Sequence, residues 1–306
     1  MSRLNQLFAS LFSKKGRMGD VTIINGVVVS GDMKNSRSED YGPVVQHPVE
    51  FNQVSAIKII GPFETIIQQS SEHSIKLEIN EKLIPFLKVK TVNGVWTISV
   101  EKDVLVNPVL KLWITAPLLE SINCDGMGKV DIKDFKQENI KIKKSGAGKC
   151  SLTGDFSLVL LDIFGTGSFT GQINAKEAII KKDSIGDGCL NGVIDKLVLT
   201  NDGTGSFDYT GGHSSLIKIN QSSLGLTSFS GSCDTLEVVI SGVGGLDAKQ
   251  LHAKDVTLQS TGIGGVKITA LNSIVGAATG IGGVHIFGNP QNARVTKKSI
   301  GELVYH

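Results

Sequence analysis

Asp125-Gly126-Met127-Gly128-Lys129-Val130-Asp131-Ile132 is the first clear copy of a glycine-punctuated unit that recurs through the second half of the chain. The unit returns as Gly146-Ala147-Gly148, Gly165-Thr166-Gly167, Gly186-Asp187-Gly188, Gly203-Thr204-Gly205, Gly242-Val243-Gly244, Gly262-Ile263-Gly264 and Gly280-Ile281-Gly282. Two altered copies complete the series, Gly225-Leu226-Thr227 and Ser299-Ile300-Gly301. Successive copies start 17 to 22 residues apart.

Aligned on the first position, the residue four places later is Val130, Cys150, Phe169, Leu190, Phe207, Phe229, Leu246, Val266, Val284 or Leu303, all apolar. The residue after that is polar in nine copies of ten, Val304 being the exception. Such alternation marks a short strand with one buried face. A second β-rich run precedes each glycine pair, for example Leu197-Val198-Leu199 and Leu236 to Ile240. Each repeat therefore reads as strand, glycine turn, strand, turn. About 20 residues leave no room for a helix as well, so equivalent strands stack on the copies before and after. The expected architecture is an all-β parallel β-helix, or β-solenoid, of about ten Gly-x-Gly coils. The leucine-rich repeat has a similar period, but its Leu-x-x-Leu-x-Leu-x-x-Asn frame is missing.

With 306 residues, 40% hydrophobic residues and a net charge of +2, the chain has ample core and no polyanion-binding balance, so nucleic acid is not an expected partner. Arg3, Arg17, Arg37 and Arg294 are the whole arginine complement. The lysine pairs Lys143-Lys144, Lys181-Lys182 and Lys297-Lys298 precede glycine turns and read as solvated turn charges. Cys124, Cys150, Cys189 and Cys233 form no Cys-x-x-Cys pair, and Cys150 reads as a small core residue.

Upstream of the repeats, Leu4, Leu7, Phe8, Leu11 and Phe12 fall at helical spacing among Arg3, Lys14, Lys15 and Arg17. This predicts a short amphipathic helix over residues 1–17, which caps the solenoid or rests on a membrane surface through residues 3–15, with a loose tail as the third reading. Asn5, Gln6 and Ser10 interrupt the apolar run, so it does not read as a secretory signal, and the expected location is cytoplasmic, with peripheral contact at the inner membrane face under the membrane-resting reading. Residues 18–49 read as a short β segment around Asn25-Gly26, a hairpin or an extra edge strand, followed by a polar linker over 31–49. Residues 50–306 read as one domain, with opening strands over 50–118 that form the first coils or a β-rich cap, and repeats over 119–306.

The segments Phe51-Asn52-Gln53-Val54, Ile59-Ile60-Gly61-Pro62-Phe63-Glu64-Thr65-Ile66-Ile67-Gln68-Gln69 and Val92-Asn93-Gly94-Val95-Trp96-Thr97-Ile98 resemble the opening of a bacterial family, the putative auto-transporter adhesin head GIN domain. Ile114-Thr115-Ala116-Pro117-Leu118-Leu119-Glu120-Ser121-Ile122, the Gly-x-Gly series and Phe287-Gly288-Asn289-Pro290 extend the resemblance over roughly residues 50–303. The resemblance implies a right-handed β-helix and a surface or adhesive role, and it brings no catalytic residues.

Enzymes built on β-helices use clustered carboxylates with a basic partner. Asp187, Asp202, Asp208 and His213 are the candidates here, but no arginine lies near them in the sequence. Asp131, Asp208 and Asp247 share an outward column in non-adjacent coils, unlike the consecutive Gly-Gly-x-Gly-x-Asp copies that hold calcium. The six histidines lack ligand spacing, and no cofactor motif is present. The favoured function is non-catalytic: a repetitive polar surface offered to a glycan or a protein. The alternative is a cytoplasmic, membrane-associated scaffold whose rods join end to end through terminal strands. A polysaccharide-active enzyme ranks third.

Overall fold

In the computed structural model, the described residues are 21–24, 27–30, 40–51, 54–101, 108–298 and 300–306, in two compact units that divide at Asp40 and Tyr41. The candidate helix, with Leu4, Leu7, Phe8, Leu11 and Phe12, lies outside the described residues, as do residues 31–39 of the expected linker. In the first unit, β1 (Val21–Ile24) and β2 (Val27–Ser30) pair antiparallel with Val21 opposite Ser30, giving the hairpin expected around Asn25-Gly26.

The second unit is a parallel β-solenoid of about ten turns with a cap of mixed pairing. Its first strand, β3 (Val44–His47), falls within the expected linker, which is therefore too long. Pro43 and Pro48 bracket it and disguise it as a loop, and only antiparallel pairing with β6 makes it a strand. The cap continues with β4 (Ala56–Ile60), β5 (Glu64–Gln69), β6 (Ser74–Asn80), β7 (Leu87–Val92), β8 (Val95–Val100) and β9 (Leu110–Ala116). Strands β4 and β5 run parallel to β8 and β9, on which β7 and β6 fold back antiparallel. A 3-10 turn over Glu81–Phe86 joins β6 to β7 and buries Leu83 completely.

From there β10 (Ser121–Asp125) and β11 (Val130–Ser145) stack in parallel on β4 and β5. The coils that follow are β12 (Cys150–Gly165), β13 (Phe169–Ser184), β14 (Gly188–Gly192) with β15 (Ile194–Asn201), β16 (Phe207–Gln221), β17 (Thr227–Ile240), β18 (Leu246–Ser260) and β19 (Val266–Ala278). Strands β20 (Val284–Phe287), β21 (Asn292–Lys297) and β22 (Leu303–Tyr305) close the stack. Most coils are one continuous strand of 13 to 16 residues and not the two separated strands expected. Neighbouring coils keep the ladder bonded through the second bend, which is taken up by irregularities such as that between Ile132 and Phe135.

The glycine corner is a true break. At Gly146 and Gly165 φ is +88° and +97°, and an added Cβ would lie 2.5 and 2.3 Å from the carbonyl oxygen of the corner glycine one coil earlier. Glycine is required there for conformation and for backbone contact alike.

Register corrects the frame of two copies. The ladder runs Val130, Cys150, Phe169, Gly188, Phe207, Thr227, Leu246, Val266, Val284, Leu303. Leu190 and Phe229 stand two residues farther along, beside Tyr209. The equivalent corners are therefore Ser184-Ile185-Gly186 and Ser223-Leu224-Gly225. A slip of two preserves strand alternation, so both readings point inward. Inside, a second ladder of Ile57, Ile122, Ile142, Leu161, Ile180, Leu199, Ile219, Val238 and Leu258 is almost wholly buried. Each such large side chain contributes roughly 1.5 to 3 kcal/mol.

Two lysines read as solvated turn charges are interior. Lys144 and Lys182 are 2% and 1% exposed because strand alternation at their corners points them into the coil. Lys144 Nζ donates to the carbonyls of Gly126, Ser145 and Ala147 at 2.7, 2.9 and 2.7 Å, so the ammonium satisfies inward corner carbonyls. Lys182 Nζ donates to Ser184 O at 3.2 Å. Burial holds both lysines below their ordinary pKa. Cys124, Cys150 and Cys233 are buried free thiols; burial pushes Cys150 and Cys233 up to about 12 and Cys124 higher still.

Candidate functional site

The strand segment after each corner presents alternate residues to solvent, and coil stacking turns those residues into columns. One column runs Thr153, Gln172, Asn191, Thr210, Ser230, Gln250 across six adjacent strands. All six carry a hydroxyl or a carboxamide. Strand spacing places them roughly 4.8 Å apart on a flat face. Ser230 Oγ and Thr210 Oγ1 lie 3.1 Å apart, and Thr153 Oγ1 accepts from Asp134 N at 3.0 Å. The column nearer the corner runs Asp131, Ser151, Thr170, Cys189, Asp208, Ser228, Asp247, Lys267. There burial works against the Asp131 charge, yet hydrogen bonds from Lys129 and from Ser151 Oγ at 2.6 Å hold its carboxyl below the usual range. Register leaves Asp131, Asp208 and Asp247 in separate coils. Among the described residues, no group of three or more His, Cys, Asp or Glu could hold a metal ion.

The four residues singled out for chemistry occupy different columns. Asp187 lies just past its corner and accepts from Ser206 N and Ser206 Oγ, both at 2.8 Å, which lowers its pKa. Asp202 lies before the next corner and accepts from Ser222 Oγ at 2.7 Å. Asp208 sits opposite Cys189 and Ser228, and His213 lies farther along β16. His213 instead meets residues that sequence reading missed. Its Nδ1 lies 3.3 Å from Ser232 Oγ and its Nε2 3.4 Å from Asp234 Oδ1. Lys254 Nζ lies 2.7 Å from the same Asp234 oxygen, and that hydrogen bond lowers the Asp234 pKa and raises that of Lys254. Parallel pairing of His213 with Ser232 creates this Ser, His, Asp contact, which no spacing within one strand could reveal. The histidine is 56% exposed on an open face, and the carboxylate is shared with a lysine. A nucleophilic site needs an enclosed pocket and oxyanion donors besides.

Concave space lies elsewhere. A cleft of about 370 Å³ on the cap is lined by residues that include His47, Glu50, Ile84, Leu87, Val89 and Lys90. No helix among the described residues is long and apolar enough to cross a membrane.

A family model described as "Putative auto-transporter adhesin, head GIN domain" matches residues 53–228 and 195–290. The crystal structure of a putative adhesin from Parabacteroides merdae is 16% identical, with a TM-score of 0.52 over 86% of this chain and 97% of that one. A putative adhesin from Parabacteroides distasonis is 15% identical, with a TM-score of 0.52 over 86% and 98%. At such identity the likeness is one of fold. A search of curated proteins finds no match.

Proposed function

The chain belongs to the family of the putative auto-transporter adhesin head GIN domain, and from that premise we propose that it is a non-catalytic, adhesin-like binding protein whose polar face takes a glycan or a protein. The observation that carries the reading is the column Thr153, Gln172, Asn191, Thr210, Ser230, Gln250, an unbroken row of short uncharged polar groups on adjacent strands. Such a row offers paired donors and acceptors at a fixed repeat, suited to many weak contacts along an extended ligand. The test is binding of the full chain to a glycan array and to extracellular-matrix proteins, before and after Gln172→Ala with Thr210→Ala. Retention on a ligand that the double variant loses supports the reading. Binding that the double variant keeps would move the site off this face.

A second reading rests on Leu4, Leu7, Phe8, Leu11 and Phe12 as a membrane-docking face at the inner membrane, with the rod as a scaffold. Equal solubility of the full chain and a form lacking residues 1–17 would remove it.

A further inference from the structure

The middle residue of each corner points away from the core, and in the last coils it is a large aliphatic side chain. Leu224, Val243, Ile263, Ile281 and Ile300 are 61, 53, 51, 49 and 76% exposed. They stack directly. Val243 N donates to Ser223 O, Ile263 N to Gly242 O and Ile281 N to Gly262 O, at 3.2, 2.8 and 3.0 Å. These side chains thus form one ridge with a repeat of about 4.8 Å.

The flanks are unusual in two ways. Before the corner stand Ser222, Ser241, Thr261 and Thr279, and after it Leu226, Gly245, Gly265 and Gly283, so four consecutive coils carry no charge beside the ridge. Moreover, the fold does not require glycine at 265: a Cβ there would meet nothing closer than Gly283 O at 3.8 Å, and φ is not in the left-handed region. At Gly283 the nearest contact, 3.1 Å, is a histidine side chain. Flatness of the outer surface, and not backbone geometry, is what these two glycines supply.

We propose that this ridge is the contact surface of an antiparallel homodimer, with its twofold axis between Val243 and Ile263. That operation sets Leu224 against Ile281 and Val243 against Ile263 of the second copy. Leu226, 49% exposed, then projects over Gly283, which has no side chain, while Gly245 and Gly265 let the two backbones approach. Ser222 meets Thr279 and Ser241 meets Thr261. At both ends Asp202 of one copy faces Lys298 of the other, and Ser206 faces Glu302. A twofold interface must be complementary to itself, and here the knob, the notch, the uncharged centre and the opposite end charges all satisfy that demand. Five coil spacings by about five residues of width give on the order of 400 Å² per copy, the size of a weak, reversible interface.

Sedimentation of the full chain over two decades of concentration tests the proposal. The wild type is expected to pass from monomer to dimer in the micromolar range. Ile263→Asp and Gly265→Glu each weaken association at least tenfold with unchanged Tm, the second at a position with room for a side chain. Leu226→Cys combined with Gly283→Cys gives an interchain disulfide under mild oxidation. A wild type that stays monomeric, or variants that associate as it does, would overturn the proposal. Leu226→Cys alone cross-linking as well as the pair would overturn the register. Pelleting of the monomer with phosphatidylcholine vesicles, abolished by Gly265→Glu, would assign the ridge to lipid instead.

Discussion

Phe207 lays its ring over Gly188 of the preceding coil, so closely that a Cβ on the glycine would lie 2.5 Å from Phe207 Cδ2. The ladder at this position runs Phe169, Gly188, Phe207 and Thr227, the glycine leaving room for the Phe207 ring. Gly188→Ala should therefore cost about 1 to 3 kcal/mol by overpacking. Phe207→Leu in that background should recover part of the loss. Urea denaturation of the single and double variants measures both, and a neutral Gly188→Ala would contradict the packing.

Lys144 and Lys182 are buried lysines with opposite expected responses. Lys182 makes one bond, to Ser184 O, so Lys182→Met should stabilise the fold at neutral pH by removing a poorly compensated charge. The folded pKa lies below the ordinary 10.5, so the cost of the charge is present below the folded pKa and fades as pH rises toward 10.5. The advantage of the methionine should fade over the same window. Lys144→Met should instead destabilise, by about 3 kcal/mol, because the Gly126 and Ala147 carbonyls lose the ammonium as donor and Ser145 O keeps only the Gly126 N–H at 3.1 Å. Thermal melts between pH 7 and 10.5 distinguish the two.

Asp131 should contribute an acid-sensitive increment. Its folded pKa is below the ordinary 3.8, so the contribution is present above that value and is lost as pH falls through the folded pKa. Lys129 is half exposed, and screening limits the effect to about 1 kcal/mol or less. The stability difference between wild type and Asp131→Asn should shrink as pH is lowered from 5 to 2 in urea titrations.

Cysteine reactivity reports the inward columns directly. Cys124, Cys150 and Cys233 are buried with raised pKa, whereas Cys189 is partly exposed. At pH 8 a thiol reagent should modify Cys189 in the native protein and the other three only after denaturant is added. Peptide mapping identifies the modified positions, and native labelling of Cys150 would place it off the interior ladder.

The solenoid was legible because its signal is local and repeated: a glycine corner and an apolar residue at a fixed offset, in register in eight of ten copies and displaced by two residues in the other two. Offsets within a copy were less secure. Gly186-Asp187-Gly188 imitates a corner, and only pairing of Gly188 with Phe207 shows that Ser184-Ile185-Gly186 is the equivalent one. Lys144 looked solvated because composition cannot distinguish a turn charge from one pointed inward by strand phase.

The sequence alone determined the period, the alternation and the glycine corners, since each is written within about 20 consecutive residues. It also marked an outward polar position after each inward one, but the row Thr153, Gln172, Asn191, Thr210, Ser230, Gln250 was assembled only by the register between coils. Tertiary structure alone decided which residues of different coils meet: His213 with Ser232 and Asp234, Phe207 with Gly188, and Leu224 through Ile300 in one ridge. Those meetings depend on the register between stacked coils of unequal length, and a shift of two residues leaves the inward and outward pattern of each strand unchanged.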